Sequence, residues 1–174
     1  MTTILLIGAS RGIGFELARQ YISHGDRVIA TARSEEGLAQ LKALGAQTLR
    51  LDVANPASNS GLAWQLDGEK IDIAIYVAGA MDRASANTPP TRDSFDAVMH
   101  TNVMGAMQVI PQIVPMVQET QGVIACISSI MGSQHETTSG NAALYRVSKA
   151  ALNMVVRCTQ AEQPGITVLA IHPG

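Results

Sequence analysis

The chain has 174 residues, 47% hydrophobic and 15% charged, with a formal net charge of −2. This composition excludes a disordered chain, and the length predicts one domain, spanning 1–174, with a sizeable core. There is no Lys/Arg block to meet nucleic acid and no run of about 18 apolar residues to cross a membrane.

The opening MTTILLIGAS lacks a basic region and reads as a first strand, not a signal peptide. Cys126 and Cys158 sit in apolar contexts without a CxxC pattern. They read as buried free thiols in a reducing compartment, so the expected location is cytoplasmic.

In chain order, an apolar strand over 2–8 runs into a helix over 12–25 stopped by Gly25. A strand at 26–33 precedes a helix at 34–45, with Ser34 as N-cap and Gly45 as terminator. A third strand at 46–53, a weaker helix at 55–68 and a fourth strand at 71–79 follow. After a polar loop over 80–90 come two helices, at about 91–100 and 102–119. A fifth strand at 122–129, a loop at 130–142, a helix at 143–161 and a sixth strand at 165–174 complete the chain. Such alternation predicts an α/β fold: a doubly wound parallel sheet covered on both faces, with ligands at the carboxyl ends of its strands.

Gly8, Gly12 and Gly14, in GASRGIG, lie between the first strand and the first helix. Glycines there allow a tight turn and close approach of backbone to a pyrophosphate, which the helix N-terminus attracts. The loop alone also fits a methyltransferase-type nucleotide site. The second strand ends in Ala32 and Arg33, without the carboxylate that would hold a free ribose hydroxyl, and Arg11 lies inside the glycine loop. Two guanidinium groups suit a 2′-phosphate, which predicts NADP(H) over NAD(H). The four histidines share no metal-ligand spacing, and the eight methionines read as core filler.

Tyr145 and Lys149 stand at i and i+4 and share one helix face. An ammonium beside a phenol favours the phenolate, which is how tyrosine becomes a usable acid/base.

The segments GASRGIG, LDV, TNVMG, ISSIMG, YRVSK and IHPG occur in order over essentially the whole chain. Together they resemble the short-chain dehydrogenase/reductase family of the classical type, and most closely its carbonyl-reductase branch, with C-factor and sniffer-type proteins. The resemblance implies a Rossmann-type fold and an NADP(H)-dependent oxidoreductase interconverting a carbonyl and an alcohol. It implies Tyr145 as proton donor, and Lys149 as the residue that tunes it and holds the nicotinamide ribose. Ser129 would polarise the carbonyl, with Ser128 as fallback, and Asn102 would anchor a relay water; Asn102 also reads as an N-cap of the long helix. For the cofactor it implies Gly8, Ser10, Arg11, Gly12, Ile13 and Gly14 at the loop, and Arg33 beyond the second strand. Asp52 and Val53 would lie at the adenine, Ala78 and Gly79 at the close turn after strand four, and Pro173 and Gly174 beside the nicotinamide.

Three departures stand out. Tyr76-Val77 replaces the family's paired asparagines, which implies altered packing and intact chemistry. The 16-residue interval from Ser129 to Tyr145 is long, which implies an enlarged loop near the substrate. The family's substrate lid and seventh strand are not in this sequence, so six strands and a C-terminally incomplete domain are expected. That last departure favours the alternative of a dinucleotide-binding signalling or sensor protein of C-factor type, while the intact Ser129, Tyr145 and Lys149 set opposes it. The apolar helix 102–118 and the small-residue helix over 145–160 predict a homodimer through those two helices, with a tetramer as the further option.

Overall fold

A computed structural model describes residues 1–174. Six strands form one wholly parallel sheet in the order β3-β2-β1-β4-β5-β6. They are β1 (Thr3–Ile7), β2 (Arg27–Ala32), β3 (Gln47–Arg50), β4 (Ile73–Tyr76), β5 (Val123–Ile127) and β6 (Thr167–Ile171). The central strands are apolar on both sides because helices cover both faces. On one side lie α1 (Gly12–Ser23) and α2 (Glu35–Leu44), over a cluster of 11 buried residues that includes Ala18 and Leu41. On the other lie α6 (Gly105–Gln118) and α7 (Ala143–Glu162), over a cluster of 22. The heavier burial under α6 and α7 makes them the firmer platform. Strand order reverses between β1 and β4, so the crevice for ligands opens at the carboxyl ends of those two strands. No helix is long and apolar enough to cross a membrane.

Local chemistry explains several boundaries. Ser34 accepts from the Gly37 N–H at 3.2 Å, and Gly45 closes α2 in the left-handed region at φ 102°, as expected. The weak helix over 55–68 is instead two short ones, α3 (Pro56–Asn59) and α4 (Leu62–Gln65), separated at Ser60-Gly61.

The two helices expected at 91–100 and 102–119 are one run. After α5 (Arg92–Met99), a π turn over His100–Met104 leads straight into α6. Asn102 therefore lies inside a helix and is not an N-cap.

Two burial expectations are also corrected. Cys126 is buried, but Cys158 is exposed on α7. None of the methionines is fully buried, and Met107 and Met154 are 57% and 62% exposed. Both, like Cys158, lie on the outer faces of α6 and α7, where flanking helices present side chains away from the sheet.

Candidate active site

The glycine loop follows β1 at the crevice. Gly8 has φ 88°, and a Cβ on it would fall 2.8 Å from Ala78 Cα, so glycine here lets the loops after β1 and β4 touch. A Cβ on Gly14 would meet the Gly8 carbonyl oxygen at 2.7 Å, which brings α1 hard against the loop. Gly12, at φ 55°, faces open space. Thr31 fixes the loop from β2: its Oγ1 accepts from the Gly8 N–H at 2.9 Å. Ser10 packs against the start of α2, where a Cβ on Gly37 would come within 2.6 Å of it. Arg11 is the N-cap residue of α1 but gives no side-chain cap, and no acidic residue occupies the first turn. The first N–H groups of α1 are thus left for an anion. Ile13 is exposed beside them.

Next to this loop, an open cavity of about 570 Å³ is lined by Arg33, Arg50, Asp52, Asn55, Ser58 and Gln65. The guanidinium sharing that cavity with Arg33 belongs to Arg50, and Arg11 lies outside the lining. Arg50 stands opposite Ala32 in the β2–β3 register, a neighbour that sequence spacing alone does not reveal. Asp52 accepts from the Ala54 N–H at 3.1 Å, while Val53 is buried in the core. An uncapped helix start and an open glycine loop fit the pyrophosphate of a dinucleotide; in the cavity at the end of β2, Arg50 pairs with Glu35 at 2.7 Å, while Arg33 has no carboxylate partner.

Tyr145 and Lys149 lie on one face of α7, with the Lys149 Nζ 5.6 Å from the centre of the Tyr145 ring. The Tyr145 hydroxyl has no partner within the chain. Lys149 is 3% exposed; its Nζ donates to the Ile127 carbonyl at 2.7 Å and keeps two further donor directions. Burial pushes its ammonium down to about 8. A Cβ on Gly79 would come within 3.7 Å of this Nζ and 3.6 Å of Asn102 Oδ1, so the turn after β4 joins the group. Gly132 lets the short 3-10 turn Ile130–Gly132 lie on α7, since a Cβ there would meet the Lys149 backbone carbon at 2.8 Å.

Ser129 and Ser128 separate clearly. Ser129 Oγ accepts from the Met131 N–H at 3.1 Å, which leaves its own proton uncommitted. Ser128 is buried, and its proton goes to Asn153 Oδ1 at 2.6 Å, so the fallback is spent. Asn102 is fully buried. Its Nδ2 donates to the Ala80 carbonyl and to Ser148 Oγ, both at 2.8 Å, and its Oδ1 accepts from the Ala80 N–H at 2.7 Å. Ser148 then donates to the Tyr145 carbonyl at 2.7 Å. Ser148 was missed in the sequence because its helical position gives no hint of its partner 46 residues away.

The long loop before α7 is tied down. The Ala86 N–H donates to the Gly140 carbonyl at 2.8 Å, and the Ala143 N–H to the Ala84 carbonyl at 3.1 Å. Arg146 reaches back to Asn141 and Ser139. Pro173 and Gly174 follow β6 at the same edge of the sheet and are exposed.

The short chain dehydrogenase family model matches residues 2–174. An NADPH-dependent pterin aldehyde reductase of Arabidopsis thaliana is 33% identical over 181 residues, covering 99% of this chain and 74% of that protein. A short-chain dehydrogenase/reductase from Burkholderia multivorans, solved with bound NADP, superposes with a TM-score of 0.90 at 32% identity, over 99% of this chain and 79% of that one. The carbonyl reductase Sniffer of Caenorhabditis elegans superposes at 0.89 with 25% identity, over 100% and 85%. With its parallel sheet, glycine loop and Tyr145–Lys149 helix, the chain belongs to the short-chain dehydrogenase/reductase family of oxidoreductases.

Proposed function

We propose that the protein is an NADP(H)-dependent oxidoreductase that interconverts a ketone or aldehyde and the corresponding alcohol. The observation that carries this is the buried Lys149 ammonium, 5.6 Å from the centre of the ring of Tyr145, whose hydroxyl has no partner within the chain, at the carboxyl edge of the sheet. A bound nicotinamide supplies the hydride, and the chain supplies everything else. The glycine loop and the start of α1 would hold the pyrophosphate, with Ala78 and Gly79 in close approach; Asp52 and the backbone of Val53, whose side chain is in the core, would lie at the adenine. Arg33, with Arg11 at the helix start, would hold the 2′-phosphate; Arg50 shares the cavity but is paired with Glu35 at 2.7 Å. Pro173 and Gly174 would border the nicotinamide.

In reduction, Tyr145 gives its proton to the carbonyl oxygen, and Lys149 supplies the positive charge against which the phenolate is left. The free Ser129 proton hydrogen-bonds the same oxygen and stabilises the charge that grows on it. Asn102 holds the turn after β4 and the start of α7 in one arrangement, and its side chain, satisfied by Ala80 and Ser148, acts through that positioning. The NADPH-dependent relative and the NADP-bound neighbour support the choice of cofactor. Met107 on α6 and Val147 and Met154 on α7 are each more than half exposed, which supports a homodimer through those two helices.

The test is NADPH oxidation with a panel of ketones and aldehydes. Tyr145→Phe should lower turnover about 10³-fold while NADPH affinity stays within about twofold. Turnover that survives the substitution defeats the mechanism. NADPH binding without turnover of any panel member points instead to a dinucleotide-binding sensor.

A further inference from the structure

Tyr76 ends β4, where the family resemblance leads one to expect an asparagine. It is 1% exposed, and its hydroxyl donates to the Thr101 carbonyl at 2.7 Å, 25 residues along the chain. Thr101 lies in the π turn His100–Met104, where the Gly105 N–H bonds back to the His100 carbonyl. A π turn inside a helix is a wide, strained element that persists when its surroundings hold it. Here the surroundings are matched in detail: a Cβ on Gly105 would lie 2.6 Å from the Tyr76 hydroxyl, so the phenol fits because residue 105 is glycine. Burial also pushes the Tyr76 phenol above its ordinary range, so the hydroxyl remains a donor at any working pH.

The next residue is Asn102, both of whose amide protons are spent, on Ala80 and Ser148. A continuous polar chain therefore runs from Tyr76 through the Thr101 carbonyl and Asn102 to Ser148 and the backbone of Tyr145. We infer that Tyr76 is a positioning residue: its hydroxyl pins the Thr101 carbonyl, holds the π turn, and so aims Asn102 between the loop after β4 and the helix that carries Tyr145 and Lys149. Its effect on turnover rests on the oxidoreductase function proposed above; its effect on the Ala80 amide does not.

The test is Tyr76→Phe, which keeps the ring and removes the donor. The first readout is hydrogen exchange in the cofactor-free protein. Exchange at the Ala80 N–H should speed up about tenfold relative to the amides of Leu6 and Ile75 in the central strands. Ile113→Val, a core change in α6 of similar cost, should leave that ratio unchanged. The second readout is NADPH oxidation with 4-nitrobenzaldehyde, or with the best panel substrate. There kcat should fall about tenfold and KM move less than about twofold, and in an Asn102→Ala background the Tyr76 change should add nothing further. An unchanged Ala80 ratio, or effects of the two substitutions that multiply, would overturn the inference. A wild type without turnover would defeat the oxidoreductase function alone, because the exchange ratio still decides whether Tyr76 positions Asn102.

Discussion

Replacing Lys149 with methionine should abolish a pH-dependent component of stability that the wild-type protein carries. The ammonium is 3% exposed, and burial brings its pKa from 10.5 to about 8. Between those values the unfolded chain keeps the proton and the folded chain sheds it. Raising the pH therefore favours the folded form, and the gain is complete only above 10.5. At about 1.4 kcal/mol per pKa unit the whole gap is worth roughly 3 kcal/mol, of which about 2.5 kcal/mol is released between pH 7 and 10. Methionine has a similar length and no proton to lose. It leaves the Ile127 carbonyl without its donor, a cost that does not vary with pH. The assay is urea unfolding of both cofactor-free proteins at pH 7, 8, 9 and 10, followed by circular dichroism. With a slope of about 2 kcal/mol per molar urea, the wild-type midpoint should gain roughly 1.2 M on the variant across that range. The comparison is between proteins because burial raises the Cys126 thiol to about 12 and lowers stability in both chains above pH 9; the Lys149 charge holds that thiol down, so the variant loses at least as much as the wild type. A difference that stays flat from pH 7 to 10 would refute the desolvation of Lys149.

Four further outcomes are expected. Ser129→Ala should lower turnover about 10²-fold; Ser128→Ala should leave turnover within about threefold and instead cost about 1 kcal/mol in chemical unfolding, because Asn153 loses its donor. Gly105→Ala should destabilise by about 2–3 kcal/mol in thermal unfolding, since the new Cβ meets the Tyr76 hydroxyl at 2.6 Å and the Val53 carbonyl oxygen at 2.7 Å. Arg33→Ser should reduce the preference for NADPH over NADH about tenfold or more in direct binding, and an unchanged preference would remove Arg33 from phosphate recognition.

The alternation of strands and helices was legible because each buried strand is a short apolar run and several helices carry their own stop signals, as Ser34 and Gly45 do for α2. Tyr145 and Lys149 were legible because helical spacing alone puts them on one face. Asn102 misled because an asparagine before an apolar helix looks like a local cap, whereas its amide is satisfied by Ala80 and Ser148, which are distant in sequence. Arg50 was invisible for a similar reason: only strand pairing puts it beside the end of β2. Hydrophobicity did not say which way Met107, Met154 or Cys158 would face, since an apolar residue on a helix flanking the sheet can sit on either side. Tyr76 was recognised as a departure, but its partner depends on the π turn, which no local pattern announced.

That π turn also sets where the chain tolerates a change in length. It adds one residue to the helical run from α5 to α6, and each residue turns a helix by about 100°. Val98 of α5 and Val109, Ile113 and Val117 of α6 all face inward with that extra step included. Removing one residue between 100 and 104 would rotate the whole of α6. The inward seam would swing toward solvent, and the outer edge at Met107, Pro111 and Pro115 would swing toward the sheet. A single deletion there is a change to the core of the molecule. The same deletion between 134 and 139 shortens an exposed rim and leaves every helix in phase.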